Sequence, residues 1–277
     1  MHLAKEEFVG GQGDRTLVMG VVNITPDSFS DGGLFLRPED ALQHALSLVD
    51  QGADILDIGG ESSRPGADVV TEGEELERVA QVVELVASEV DARISIDTYK
   101  PRVAAECLSC GAQMVNDITG LEHPDMIRVA KEANAGVVAM HMRGRPKTMQ
   151  NHEDMTYDDL IRDISGFLSE RGGRARAAGI KEVIIDPGIG FGKTAAQNLE
   201  LLQRLCEFTV LGYPVLVGPS RKSFLSALPS ALPTEERLEG TLAAVAVAVM
   251  NGASIVRVHD VGKVRRVVEL IDAVLSA

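Results

Sequence analysis

Three short segments carry carboxylates or an amide next to small or turn-forming residues: Asp97-Thr98, Asn116-Asp117 and Asp186-Pro187-Gly188. Carboxylates accept hydrogen bonds, and an amide both donates and accepts. Together they suit a planar ring edge rich in N–H groups and ring nitrogens, the edge an aminopyrimidinone presents. Other segments bring cations. Gly218-Pro219-Ser220-Arg221-Lys222-Ser223 offers Lys222, Arg257-Val258-His259-Asp260 offers Arg257 and His259, and Gly59-Gly60-Glu61-Ser62-Ser63-Arg64-Pro65-Gly66 offers Arg64 with two serine hydroxyls. Four basic groups around one point favour an anionic substrate. A unit charge pair about 4 Å apart is worth roughly 1 kcal/mol in water and several times that near a protein surface. Taken singly, each residue has an ordinary alternative. Asp and Asn cap helices, and lone basic side chains are usually solvated.

Asn23 and Thr25 introduce a further segment, Pro26-Asp27-Ser28-Phe29-Ser30-Asp31-Gly32-Gly33. It is long, polar and glycine-ended, the composition of a mobile lid. Phe29 has little reason to sit in such a loop unless a ligand covers it.

The argument for one site rests on the elements that must position these residues. Eight short apolar runs recur at 17–22, 55–58, 93–96, 113–115, 136–140, 183–185, 214–217 and 254–258. Several are continuous rather than alternating, as in a parallel sheet buried on both faces. Helical patterns lie between them, at 38–50, 72–88, 101–109, 124–133, 157–178, 196–205, 235–251 and 263–276. Leu76, Val79, Val83 and Val86 show the 3.6-residue spacing. Gly52, Gly111, Gly179 and Gly252 stand just past helix ends, where a left-handed residue is wanted. Eight strand–helix units in 277 residues predict an α/β fold, a (β/α)8 TIM barrel forming a single domain over 1–277. A doubly wound open sheet is the alternative. The first sixteen residues read as a short N-terminal extension, a strand or hairpin closing the barrel's lower end. In a barrel all residues just past the strands face the C-terminal mouth, so residues remote in sequence become neighbours there.

Composition bounds the partners. Apolar residues make up 45% and charged residues 25%, the balance of a folded globular chain. A net charge of −14 argues against nucleic acid as a main partner, because a phosphate backbone needs a basic face. It leaves room for a small anionic substrate at one locally basic mouth. No run approaches the roughly 18 apolar residues of a membrane span, and the N-terminus has no apolar signal core. The expected location is cytoplasmic. Cys107, Cys110 and Cys206 are too few and too oddly spaced for a disulfide framework or a zinc site. Gly188 to Thr194 looks like a phosphate-binding loop, but the required first glycine falls at Pro187. Gly190 to Ala195 fits the loose dinucleotide pattern only in the wrong strand–helix unit. Neither Gly-x-Ser-x-Gly nor His-Glu-x-x-His occurs. The run 242–250 is apolar nearly all round a helix, which points to burial under neighbouring helices or in a homodimer.

Several of these segments resemble a known family. Asn23-Ile24-Thr25-Pro26-Asp27-Ser28-Phe29-Ser30-Asp31-Gly32-Gly33 resembles the first signature of the dihydropteroate synthases, and Asp57-Ile58-Gly59-Gly60-Glu61-Ser62-Ser63-Arg64-Pro65-Gly66 the second. Ser95 to Thr98, Val115 to Asp117, Met140-His141-Met142, Asp186 to Gly188, Ser220 to Ser223 and Arg257 to His259 follow in order. The resemblance implies a barrel that joins 6-hydroxymethyl-7,8-dihydropterin diphosphate to para-aminobenzoate in an SN1-like reaction. It implies a pterin pocket of Asp97, Asn116, Met140, Asp186, Phe191, Lys222 and Arg257. Asn23, Ser63, Arg64, Arg257 and His259 would meet the diphosphate, with magnesium (Mg2+) at Asn23. Phe29, Ser63, Arg64, Pro65, Lys222 and Ser223 would frame the aminobenzoate. Asp31 would engage the charged intermediate, and Asp97, Asp186 and Lys222 would share the catalytic work. The family is commonly homodimeric. Two departures stand out: Ser63 where threonine is more usual, which keeps the hydroxyl, and Arg143 where glutamine is common, which could alter charge at the mouth. Two other functions fit parts of the pattern. A corrinoid-linked methyltransferase shares the barrel and pterin carboxylates but has no use for Asn-x-Thr-Pro-Asp-Ser-Phe or Ser-Arg-Lys. A non-catalytic pterin binder would lack turnover with both substrates.

Overall fold

The computed structural model describes residues 15–24, 37–64, 66–149, 151, 155–226 and 233–277. Within them the strands are β1 (Leu17–Asn23), β2 (Ile55–Gly59), β3 (Arg93–Asp97), β4 (Met114–Asp117), β5 (Gly136–Met140), β6 (Val183–Asp186), β7 (Leu216–Val217) and β8 (Ile255–Val258). The helices are α1 (Pro38–Asp50), α2 (Glu72–Glu89), α3 (Pro101–Ser109), α4 (Pro124–Glu132), α5 (Leu160–Ala177), α6 (Ala195–Gln203), α7 (Cys206–Thr209), α8 (Leu238–Met250) and α9 (Val261–Leu275). The strands pair in parallel in the order β6-β5-β4-β3-β2-β1-β8-β7. A parallel bridge between Ile185 and Val215 joins the two edges. That closure makes the sheet a (β/α)8 barrel and excludes the open doubly wound alternative.

Local chemistry sets the element ends. Prolines occupy the first turns of α1, α3 and α4, where a missing N–H costs nothing. Thr71 with Glu74, and Thr194 with Gln197, form capping boxes at α2 and α6. Asp159 accepts from the Arg162 amide, so α5 starts at 160 rather than at the predicted 157. The predicted helix over 196–205 is instead α6 and the single turn α7, parted at Arg204, whose guanidinium grips both Glu200 and Glu207. The helix predicted from 235 is a 3-10 turn at Thr234–Glu236 followed by α8. Gly52, Gly111, Gly179 and Gly252 all adopt the expected left-handed φ. The proposed N-terminal extension lies largely outside the described residues. Arg15 bonds Asp54 at 2.7 Å, and the Thr16 amide and hydroxyl each donate to Asp272 at 2.8 Å, tying the chain's entry to the barrel foot.

The strand alternation divides the core in two. Outward residues such as Leu56, Ile58, Ile94, Ile96, Val256 and Val258 pack under the helices. Inward residues Met19, Ile55, Met114, Val138, Ile184, Leu216 and Ile255 form a separate apolar plug inside the barrel. Each such burial stabilises the fold by about 1.5–3 kcal/mol. Side chains two positions on share a face of the strand. On six strands that next inward residue is therefore Asp57, Asn116, Met140, Asp186, Gly218 or Arg257. The plug thus becomes the floor of whatever binds above it.

At the opposite end Arg93 of β3 pairs with Glu182 through both guanidinium nitrogens. Gly136 lies against them. A Cβ there would stand 2.6 Å from a Glu182 oxygen and 3.0 Å from an Arg93 nitrogen. Glu182→Ala takes a carboxylate from Arg93 in a mostly buried place. Urea denaturation is expected to show a loss of roughly 2–3 kcal/mol, below the full cost for a completely buried pair. Turnover per folded molecule should stay unchanged, because the pair sits at the foot and not at the mouth.

Candidate active site

A cavity of about 410 Å³ opens at the C-terminal ends of the strands. Asn23, Asp97, Asn116, Met140, Asp186 and Arg257 line it from six different strands. Ser63, Arg64, Phe191, Lys222, Ser223 and His259 line it from the loops beyond the strands. Every described residue that the family resemblance placed in the site therefore lines one cavity, whereas Thr98 and Asp117, named beside them in the sequence, do not. Phe29, Asp31 and Pro65 lie outside the described residues.

Asp57 organises the floor. It is fully buried on β2, and its Oδ2 accepts from Arg257 Nε at 2.6 Å and from Asn116 Nδ2 at 3.0 Å. Arg257 also donates through Nη2 to Asp97 Oδ2 at 2.8 Å. Asn116 commits one N–H of its Nδ2 to Asp57, which fixes the amide's orientation and leaves its second N–H and its carbonyl oxygen for a ligand. Asp57 entered the sequence reading only as the first letter of a motif. The signal for it was there: an acid at the inward position of an otherwise apolar strand is buried by construction.

Burial governs the charges. It pushes the Asp97 carboxyl up to about 7; Arg257 opposes the shift, while Asp57 and other acids add to it. Burial also raises Asp186, against the pull of Lys222 and the Gly188 amide, which donates to Asp186 Oδ1 at 2.7 Å. Gly188 has φ +69°, and a Cβ there would meet the His141 carbonyl oxygen at 1.9 Å, so only glycine can make this turn. Lys222 donates to the Ile189 carbonyl and sits 4.3 Å from the Phe191 ring centroid. Burial holds it down to about 7, opposed by Asp186 and reinforced by Arg257. A lysine held down and two carboxyls pushed up by burial in one cleft are characteristic of functional sites.

The anion-facing side is built on strained backbone. Arg221 takes φ +60°, its amide donates to Thr241 Oγ1 at 3.1 Å, and its guanidinium pairs with Asp260 at 3.1 Å. This turn presents the residues on either side, Ser220 and Lys222, to the cavity. Ser220 accepts from the His259 amide at 3.3 Å and lies 3.0 Å from His259 Nδ1. A serine hydrogen pointed at Nδ1 leaves the imidazole proton on Nε2. His259 is pushed down to about 3, first by burial and then by Arg257, Arg221, Arg64 and Lys222, so it is neutral while no anion balances those cations.

Sequence reasoning missed Ser220 and Arg237 as separate contributors. Arg237 lines the cavity and donates to Ser226 Oγ at 2.8 Å and to the Arg221 carbonyl at 2.9 Å. It stands at the start of α8, away from any strand end, so nothing in the repeat marked it. Arg143 is not among the cavity's lining residues. It binds the Thr156 carbonyl and Asp163, and stacks 3.9 Å from the Tyr157 ring centroid. Its departure from the usual glutamine therefore fastens a loop to α5. All three cysteines are free, and burial pushes the Cys107 thiol up to about 12, which disfavours the reactive thiolate there. No group of three or more His, Cys, Asp or Glu side chains suited to a metal converges among the described residues.

An eight-stranded parallel barrel with acceptors on its floor and cations on its rim defines a class, and sequence comparison agrees. The family profile for pterin binding enzymes matches residues 19–259. Dihydropteroate synthase of Synechocystis sp. is 47% identical over 264 residues, covering 94% of this chain and 91% of that one. The crystal structure of the Yersinia pestis dihydropteroate synthase with a sulfonamide drug superposes with a TM-score of 0.90 at 44% identity, over 95% and 96% of the two chains. That of the Xanthomonas albilineans dihydropteroate synthase with 4-aminobenzoic acid gives 0.88 at 41% identity, over 95% and 94%. The chain belongs to the dihydropteroate synthase family of pterin-binding enzymes.

Asp57→Asn keeps the shape of the hub and removes its charge. Arg257 then has one carboxylate instead of two, and its aim is lost. We expect kcat/KM to fall roughly a hundredfold, as misplacement of a positioned group does. An unchanged near-ultraviolet circular dichroism spectrum would show that the fold is kept.

Proposed function

We propose that this chain condenses 6-hydroxymethyl-7,8-dihydropterin diphosphate with para-aminobenzoate, giving 7,8-dihydropteroate and diphosphate. The observation that carries the reading is the single cavity on which Asp97, Asn116 and Asp186 meet Arg64, Lys222, Arg257 and His259. The first set matches the N–H-rich edge of a pterin, and the second matches an anionic leaving group. Met140 and Phe191 give the ring apolar walls, and Arg257 serves both ring and diphosphate. Ser63, Arg64, Lys222 and Ser223 frame the aminobenzoate. Phe29, Asp31 and Pro65 are assigned to the closing loops by the family resemblance.

The reaction is SN1-like. The C–O bond at the exocyclic methylene breaks and its electron pair leaves with the diphosphate. The electron-rich dihydropterin bears the resulting cation, which Asp97 and Asp186 stabilise by holding the ring. The arylamine nitrogen, already uncharged at neutral pH, then forms the C–N bond and loses a proton. Fixed charges aimed at the departing diphosphate and close placement of the amine supply the rate; no strong base is needed. Asn23 offers one neutral oxygen to a metal. That donor suits magnesium, which keeps most of its shell as substrate phosphate oxygens and water. Bound there, the ion would neutralise charge on the diphosphate.

We assign the protein to the cytoplasm, since no helix among the described residues is long and apolar enough to cross a membrane and the cysteines are free. We also assign it as a homodimer. Val247 and Met250 of α8 and Leu270, Val274 and Leu275 of α9 are exposed on two helices that pack together, an apolar face that a second copy would cover.

Purified protein given both substrates and magnesium should release diphosphate only when the amine is present. Asp97→Ala and Lys222→Ala should each abolish that product. Pterin binding by calorimetry without any turnover would instead mark a non-catalytic pterin binder. Acidity should shape the binding as well. Asp97 is raised to about 7, so it gains its accepting charge as pH climbs through neutrality, while Lys222, lowered to about 7, loses its charge over the same range. Pterin affinity should follow a bell centred near neutral pH. Asp97→Asn should flatten the acid limb and leave the alkaline one.

A further inference from the structure

Outside the substrate cavity a set of buried charges lies where the β2 loop leaves the barrel. Lys100, the N-cap residue of α3, places its ammonium between Glu61 of the β2 loop and Glu75 in the first turn of α2, the latter at 2.5 Å. Side-chain exposure is 9%, 10% and 1% respectively. The Tyr99 hydroxyl donates to the second oxygen of Glu61 at 2.9 Å. On the same stretch Arg78 Nη1 donates to the Gly60 carbonyl at 2.8 Å. A Cβ at Gly60 would approach Val79 to 2.7 Å and Glu75 to 3.1 Å, so the backbone is pressed onto α2.

The cluster has two carboxylates for one ammonium, and Glu75 Oε1 is buried without a protein partner. Removing charges from water costs several kcal/mol per ion and is repaid only by good geometry. An apolar filling would hold the three elements together with less strain on solvation, so the ions do something else. Their geometry gives the answer. Glu61 stands two residues before Ser63, and Lys100 three residues after Asp97. Ser63 and Asp97 border the same small cleft beside the cluster.

We propose that Lys100 is a positioning residue: gripped by Glu61 and Glu75, it sets where the β2 loop presents Ser63 and Arg64 relative to the strand end that bears Asp97. The proposal rests on the reading that Ser63 and Arg64 meet the aminobenzoate. Asp97 is held separately, by the strand ladder and by Arg257. Loss of the grip therefore moves one half of the site and leaves the other.

Lys100→Met keeps the stem and removes the charge, and Glu61→Gln keeps the Tyr99 partner while weakening the ionic grip. In Lys100→Met the KM for para-aminobenzoate, measured at saturating pterin diphosphate, should rise about tenfold or more. The dissociation constant for a pterin that lacks the diphosphate, measured by calorimetry, should stay within about twofold, a split that general loosening of the fold would not give. Glu61→Gln should shift the same parameter in the same direction by less. Folded variants that lose both affinities together, or change neither, would overturn the proposal. A wild-type chain without turnover would strike at the synthase reading itself, whereas turnover with an unmoved aminobenzoate KM would sink the Lys100 role alone.

Discussion

Arg257 held between Asp57 and Asp97 is the interaction on which the mouth of the barrel depends. Burial lifts Asp97 toward neutrality against the pull of Arg257, and the second carboxylate on that guanidinium, Asp57, adds to the rise. The same contacts fix Asn116 through Asp57 and hold the guanidinium in the cavity lining. Breaking this set would disturb strands β2, β3, β4 and β8 at once. Such polar clusters repay their desolvation only when every member is well placed, which makes them demanding of the scaffold around them.

The scaffold meets that demand by a change of chemistry along each strand. The inward positions begin as a dry plug of Met, Ile, Leu and Val, and two residues later become acids, an amide, a methionine and an arginine. The plug keeps water out from below, and the parallel ladder fixes the heights of the polar groups to within the tolerance of a strand. Stability and recognition thus occupy different storeys of one barrel. The Arg93–Glu182 pair at the foot and the Asp57 hub above the plug illustrate the division.

Much of this was legible in the sequence because it is periodic. Strand positions, helix starts at Pro38, Pro101 and Pro124, and helix ends at Gly52 or Gly252 follow from local chemistry. The residues just past each strand follow from the barrel rule. Asp57 was not read as a site residue because it lies inside a strand, two residues before the loop where polar residues attract notice. Arg237 was not read because it reaches the cavity from a helix start that no repeat signals. The break between α6 and α7 depends on Arg204 gripping two glutamates across the gap, a choice that hydrophobic periodicity does not encode. Lys100 and Glu75 carry no shared motif or period that pairs them, and only the fold brings them together.

The neutral His259 beside Arg64, Arg221, Lys222 and Arg257 has a consequence for life in a phosphate-containing solution. Arg221 is already matched by Asp260, and Arg257 by Asp57 and Asp97, so a small dianion settling beside the imidazole would bring net negative charge and draw a proton onto it. The charge state of His259 would then report whether an anion occupies the mouth.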